Sequence, residues 1–454
     1  MDVVLRGTVF TDGGLLEDGW VGVKAGRIEA IGTGAAPDAA QVRDFSGKFI
    51  LPGIIDGQTH ATNSMGLQGI APTTASAVAG GVTTIVDMPY DEPLPLDRIE
   101  RLDAKVRAVA DHAHCDVALY GTATAETGTA HLAELIDGGV AAFKISSFQS
   151  HPTRFPRIGA DLMLDLLEAL APTGLPLGLH NEDQEIVRAR TARVRDRGRD
   201  DAVAHSDSRP PAAELAATAH FLALGQAAGA HAHIVHFSDA DGFRQVAAFA
   251  GLGGRAPGGP GSLYLFFDAA GAGPALAALM RVTPPIRPGA VEGLWRALAD
   301  GQVGFVSSDH ASWPIGNKLG RSIFDASAGI PGLETLLPAF LTAAARHGLE
   351  APQLAADYLS ARTARFFGLD DRKGRIAPGL DADIAVVEQG SFEWDASRAH
   401  DGLNWSPFDK RRFDARVVST WLRGREVWDG TSVLASPGDG QYVPRRGRGW
   451  FNHQ

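Results

Sequence analysis

Apolar and polar positions along the chain fall into three textures. Over the first fifty residues, "DVVLRGTVFTDGG", "GWVGVKAGRIEAIG" and "GKFILPG" are short runs with β-branched residues, cut by glycine-containing turns. Such runs predict strands. The same texture returns near the other end, in "GRIAPGLDADIAVVE", "DARVVSTWLRGREVWDG" and "TSVLAS". Between them lie eight apolar runs: "GIIDGQTH", "VTTIVDMP", "CDVALYGTAT", "AAFKISSF", "LPLGLHNE", "AHIVHFSD", "SLYLFFDA" and "VGFVSSDH". Amphipathic stretches such as "LDRIERLDAKVRAVADHA" and "AAELAATAHFLALGQAAG" separate most of them. Strands alternating with helices predict βα units on a parallel sheet, and eight such units predict a closed (β/α)8 TIM barrel. An open α/β sheet gives a similar pattern. The tract "GLGGRAPGGPG", Gly251 to Gly261, offers nothing to pack and is expected to be a mobile surface loop.

Composition narrows the class. A chain of 454 residues with 44% hydrophobic content can bury one large domain and a smaller one. Its net charge of −11 is built from interspersed acids and bases, with no basic stripe, which argues against nucleic acid or an anionic membrane as partner. Cys115 is the only cysteine, so neither an intrachain disulfide nor a cysteine-rich metal site is available. The N-terminus reads as a strand and turn rather than a signal peptide, and no apolar run approaches a membrane span. A cytoplasmic globular protein is the expectation.

Chemistry enters at the strand ends, where a parallel barrel carries its active site. Five of the eight runs end in, or near, a metal-competent or convertible group: His60, Lys144, His180, His236 and Asp309. One histidine in such a place is ordinarily a hydrogen-bonded core residue. Five groups at equivalent places point to a shared site, and imidazole with carboxylate suits zinc and similar divalent ions. Lys144 cannot coordinate a cation as an ammonium. A neutral lysine on an apolar strand can instead react with carbon dioxide to give a carboxylate-like carbamate. An ordinary lysine paired with a nearby acid is the alternative.

The ordered set "LPGIIDGQTH", "GVTTIVDMP", "AFKISSF", "GLHNED", "AHIVHFSD", "VTPPIR", "SSDHA", "GIPGLETLLP" and "GRIAPGLDADIAVV" resembles the amidohydrolase superfamily. The matching branch holds hydantoinases, dihydropyrimidinases, allantoinases and dihydroorotases. The resemblance implies a barrel over residues 53–370, flanked by a small β-sandwich made from residues 1–52 and 371–454. It implies an N-carboxylated Lys144 bridging the metal site, one ion on His180 and His236, and Asp309 on the other. It also implies a homodimer or homotetramer acting on a small cyclic amide.

The sequence departs from this family at several points. Where the first strand normally ends in two histidines one residue apart, this chain has Gln58 and His60. An amide oxygen is a poor substitute for imidazole on zinc, so the site is expected to hold two ions with one loose, a single ion, or none. Retention of the other five groups speaks against loss of the metal, and of the two remaining outcomes we favour a single tightly held ion. The tyrosine that hydantoinases place five residues after the bridging lysine is Gln149 here. The arginine of dihydroorotases is Thr62, which disfavours that activity. Tyr264, Phe267 and Asp268 on the seventh run either shape a different pocket or pack. Arg154, with His151 and Arg157, lies on the loop after the fourth run, either binding an anion or pairing with surface acids. Thr283, with Pro284 and Pro285, is expected to wall the substrate, while Gly332 and Glu334 set a turn and helix start. His310 is expected to make a structural hydrogen bond.

These residues predict metal-assisted hydrolysis of a cyclic amide, ureide or imide C–N bond. Asp309 serves as base and then acid, while His60, Lys144, His180 and His236 hold the metal and Gln58 is a possible sixth donor. The competing expectation is a metal-free, inactive scaffold or regulatory paralogue.

Overall fold

The computed structural model describes residues 1–256, 258–259, 262–271, 277–319, 322–447 and 449–450. At the N-terminus lie β1 (Val3–Thr11), β2 (Gly14–Lys24), β3 (Arg27–Thr33) and β4 (Gln41–Pro52). The barrel strands follow: β5 (Ile54–His60), β6 (Val82–Asp87), β7 (Asp116–Gly121), β8 (Ala142–Ser146), β9 (Leu177–His180), β10 (Ala232–Ile234) and β11 (His310–Ala311). The C-terminal strands are β12 (Ile384–Glu393), β13 (Arg412–Leu422) and β14 (Arg425–Trp428).

The two chain ends join in one seven-stranded sheet of order β14-β13-β12-β4-β1-β2-β3. It has its own core, in which Val3, Leu5, Val9, Val21 and Ile50 meet Ile384, Val386 and Trp421. The predicted strand "TSVLAS" is reduced to one bridge, Val433 to Trp428.

The second sheet is parallel, in the order β10-β9-β8-β7-β6-β5-β11. Its strands β6 to β9 are buried at every residue. A strand covered on one face by helices and on the other by the barrel interior has no solvent side, and so reads as an unbroken apolar run. Inside, Ile55, Val86, Ala118 and Tyr120 pack with Phe305, Phe366 and Phe367 and fill the barrel's lower part.

Two sequence expectations are overturned at the closure. The run "SLYLFFDA" is helical over Ser262–Phe266, not a seventh strand. The glycine-rich tract expected to be a surface loop supplies that wall instead. Arg255 bridges His231, Gly258 bridges Ile234 of β10, and Gly304 donates its N–H to the Gly258 carbonyl at 2.8 Å. Pro257, Pro260 and Gly261 of the same tract lie outside the described residues. Glycine is needed there because a Cβ on Gly258 would stand 2.4 Å from the Phe237 ring. The strand contributes backbone, and neighbouring rings supply the packing.

A buried ion cluster links the barrel to the terminal sheet. Lys373 Nζ lies 2.7 Å from Asp116 on β7, 2.6 Å from Asp383 and 3.3 Å from Asp381, and Arg423 also pairs with Asp116. The three carboxylates are close enough to suit a metal ion, but the lysine ammonium already fills that role. Replacing Lys373 with alanine leaves buried carboxylates uncompensated and should lower stability by about 3–5 kcal/mol. The urea unfolding midpoint reads this loss; an unshifted midpoint would show that the cluster adds nothing.

Among the described residues, no helix is long and apolar enough to cross a membrane.

Candidate active site

The barrel strands converge on a cavity of about 360 Å³ at their C-terminal ends. Gln58, His60, Lys144, His180, His236 and Asp309 all line it. The strand geometry explains this convergence. Gln58 and His60 alternate on the last residues of β5, Lys144 sits within β8, His180 ends β9, and His236 follows β10 by two residues. Asp309 directly precedes β11, at a φ of 51°. A non-glycine residue in the left-handed region is strained, and such strain persists where surrounding contacts hold it. Here Asp56 provides them, accepting from the Ser308 N–H and the Ser308 hydroxyl at 2.6 Å each.

The imidazoles are oriented by what lies behind them. His180 Nε2 is 2.8 Å from Glu182. A carboxylate only accepts, so that nitrogen carries the proton and Nδ1 is left with its lone pair. Nδ1 faces Nε2 of His236 at 3.0 Å inside the site. Burial would raise the Glu182 carboxyl, but Arg209 beside it and the bond from His180 hold it well below the usual range, so it remains an anion. Burial also pushes His236 down to about 3, keeping that ring neutral. On the opposite side, His60 Nε2 lies 3.5 Å from Asp309 Oδ1. This set of imidazole nitrogens and one carboxylate fits a borderline divalent cation.

Lys144 differs from the other buried lysines. Lys105 lies 2.7 Å from both Asp87 and Asp91, and Lys373 has its acidic cluster. Lys318 donates to three backbone carbonyls. Among the described residues, Lys144 has no carboxylate within ion-pair distance; its Nζ lies over the Phe155 ring at 5.4 Å. Burial brings it down to about 8. The expected pairing with a nearby acid is therefore absent there.

Gln58, the departure from the paired histidines, has a concrete partner. Its Nε2 donates to Asp309 Oδ1 at 2.7 Å, so the amide engages the carboxylate through N–H. His310 is structural, as expected: Nδ1 accepts from the Gly332 and Leu333 N–H groups, and Nε2 meets the Ser312 hydroxyl at 2.9 Å. Glu334 accepts from the His400 N–H at 3.0 Å.

Of the expected substrate contacts, Thr283 and Arg154 line the cavity. Arg154 is tied to Glu92 and to the Asn63 carbonyl and stacks on Tyr90. Arg157 faces Glu185 outside the site. Gln149 does not line the cavity; it is exposed, and its N–H bonds Gln184. Its neighbours Phe148, Ser150 and His151 do line the cavity, so Gln149 alone is left out of the wall at the position of the family's tyrosine. Pro284 is also absent from the lining, and its carbonyl accepts from the Tyr264 hydroxyl at 2.7 Å. Phe267 packs against Phe408, and Asp268 accepts from the Ala270 and Gly289 N–H groups. Thr62 is bound to Asp91.

Sequence reading passed over Tyr90, Arg209, Arg281 and Trp313, which also line the cavity. They come from loops beyond the strand ends, where no periodicity marks them. Glu182 stood within a quoted motif, two residues after a candidate ligand, and that spacing was its only signal.

Comparison with known proteins places the chain in a family. The amidohydrolase family matches the chain over residues 49–427. An allantoinase of Rubrobacter xylanophilus is 35% identical over 457 residues, with 99% of each chain covered. A dihydroorotase of Halobacterium salinarum is 34% identical, covering 96% of this chain and 98% of its own. The solved structure of an L-hydantoinase (dihydropyrimidinase) from Arthrobacter aurescens superposes with a TM-score of 0.92 at 27% identity, covering 98% of this chain and all of that one. The chain belongs to the amidohydrolase family.

Proposed function

We propose that this protein is a divalent-metal-dependent hydrolase of a cyclic amide, ureide or imide C–N bond, hydantoinase- or allantoinase-like, with a metal site altered at Gln58. The observation that carries this reading is the meeting of His60, Lys144, His180, His236 and Asp309 in one cavity. Its size suits a five- or six-membered ring better than a polymer.

In this reading His180 and His236 hold the cation with N-carboxylated Lys144, and His60 and Asp309 complete the set. Such an ion, zinc by the character of its donors, would supply a lowered pKa for bound water and polarisation of the scissile carbonyl. Asp309 takes the proton of the attacking water and delivers it to the leaving ring nitrogen. The Gln58 N–H steadies Asp309 for both transfers, which makes Gln58 a positioning group rather than a metal donor. Thr283 lies along the ring's path. With Thr62 tied to Asp91, the chain has no arginine at the dihydroorotase position.

Screening hydantoin, dihydrouracil, allantoin and simple imides with added zinc, manganese or cobalt tests the proposal. Ring opening should appear together with bound metal. Protein that stays metal-free and inactive with excess metal and bicarbonate would support the scaffold reading instead. The substitution Gln58→His recreates the paired imidazoles and should raise bound metal from about one ion per chain toward about two. Elemental analysis of dialysed protein reads the change, and an unaltered metal content would remove Gln58 as the cause.

A further inference from the structure

Three arginines line the cavity, and they differ in how their charge is balanced. Arg154 is paired with Glu92 and Arg209 with Glu182. Arg281 has no ion-pair partner among the described residues, and its Nε is buried with no hydrogen-bond partner. Burial, and then the nearness of Arg209, draws its guanidinium down to about 10, which still leaves it charged at neutral pH. A cation placed in this way is poorly compensated until an anion arrives.

Its surroundings hold it in place. The Arg281 carbonyl accepts from Lys318 Nζ at 2.9 Å and from the Gly329 N–H at 3.0 Å. The same ammonium donates to the Ser327 and Gly329 carbonyls at 2.8 and 2.7 Å. Two lining segments, Arg281 to Thr283 and Ala326 to Gly329, are thus clamped together by one buried lysine. The guanidinium stands on a fixed backbone, which lowers the ordering cost of a planar, two-point contact with a carboxylate. The carboxylates of the lining and its support are engaged elsewhere: Asp309 by Gln58, Glu182 by His180 and Arg209, Glu92 by Arg154, and Asp325, whose charge also reaches Arg281, by Arg195 at 2.6 Å.

We infer that the ring this protein opens carries a carboxylate substituent, and that Arg281 binds it and sets the enzyme's preference for acidic over neutral rings. This rests on the hydrolase reading above and adds the substrate's charge to it. Arg281 lies on the loop before Thr283, a different element from the strand end at which a dihydroorotase places its arginine.

The test compares two near-isosteric compounds, hydantoin-5-acetate and its neutral amide, hydantoin-5-acetamide. With native protein, kcat/KM should favour the acid by about 30-fold or more, the scale of a charge-assisted contact. In Arg281→Gln this ratio should fall to about threefold or less, with Arg281→Lys between them because it keeps charge but loses the fork. Calorimetric titration of native protein with both compounds reads the same preference without turnover. Tight binding of the acid over the amide with no ring opening would sustain Arg281 as a carboxylate site while defeating the hydrolase reading on which the rest of the inference stands. Equal kcat/KM and equal affinity for the two compounds in native protein would overturn it. So would a variant that loses both activities in equal proportion, which would place Arg281 on the carboxylate newly formed by ring opening. The native comparison stands even if the variants fail to fold.

Discussion

Asp309→Asn should lower turnover by about 1,000-fold or more while much of the bound metal remains. Asparagine matches aspartate in size, and its side-chain oxygen can still accept the Gln58 N–H that reaches Asp309 at 2.7 Å. Asp56 continues to hold the neighbouring Ser308 backbone, so the left-handed residue has no new reason to move. What disappears is proton affinity. Burial would raise the Asp309 carboxyl, but the His60 hydrogen bond and the charges around it hold it below its ordinary value, ready as an anion. An amide cannot take the water's proton, and it cannot return one to the leaving nitrogen. Steady-state kinetics with elemental analysis on the same preparation separates loss of chemistry from loss of metal. Retained turnover would remove Asp309 from the proton-transfer role.

Lys144→Ala should remove both the bound metal and the activity, and millimolar acetate or propionate should restore part of each. Lys144 is buried, lies over Phe155 and is brought down to about 8 by desolvation. A substantial neutral fraction therefore exists near neutral pH, and only the neutral amine attacks carbon dioxide. The nitrogen lone pair forms a bond to the carbon, one N–H proton leaves, and the product is an anion facing His180 and His236. Truncation to alanine opens room where a small carboxylate can supply the missing charge. An ordinary lysine would behave otherwise. Its removal would leave metal content untouched or would not respond to added acids. Full metal occupancy in Lys144→Ala would end the carbamate reading.

Both predictions use residues that a one-dimensional reading can find. The barrel runs β6 to β9 are continuous apolar stretches because both of their faces are covered. Their endings stand out because a polar group after such a run is unusual. Period and composition are local properties, so His60, Lys144, His180, His236 and Asp309 were legible from the chain. The two β-rich ends were legible in the same way, whereas their joining was implied by the family resemblance; in the fold their β-branched residues make a second core around Val3, Val21 and Ile384.

The rest depends on contacts between distant segments. The glycine-rich stretch around Gly258 looks unstructured alone, since Ala256 is the one small apolar side chain it buries next to Gly258. It becomes barrel wall because Phe237 occupies the space a side chain would need and β10 supplies the hydrogen bonds. Gln58 reads as a lost ligand until Asp309, 251 residues away, is seen to accept its N–H. Arginine charges are equally undecided in sequence: Arg154 and Arg209 find acids in the fold, whereas Arg281 does not. Pattern along the chain determined which elements form and which chemistry stands at their ends. Tertiary structure alone decided which donors and acceptors meet, because hydrogen bonds and ion pairs act over a few ångströms in space, whatever the separation along the chain.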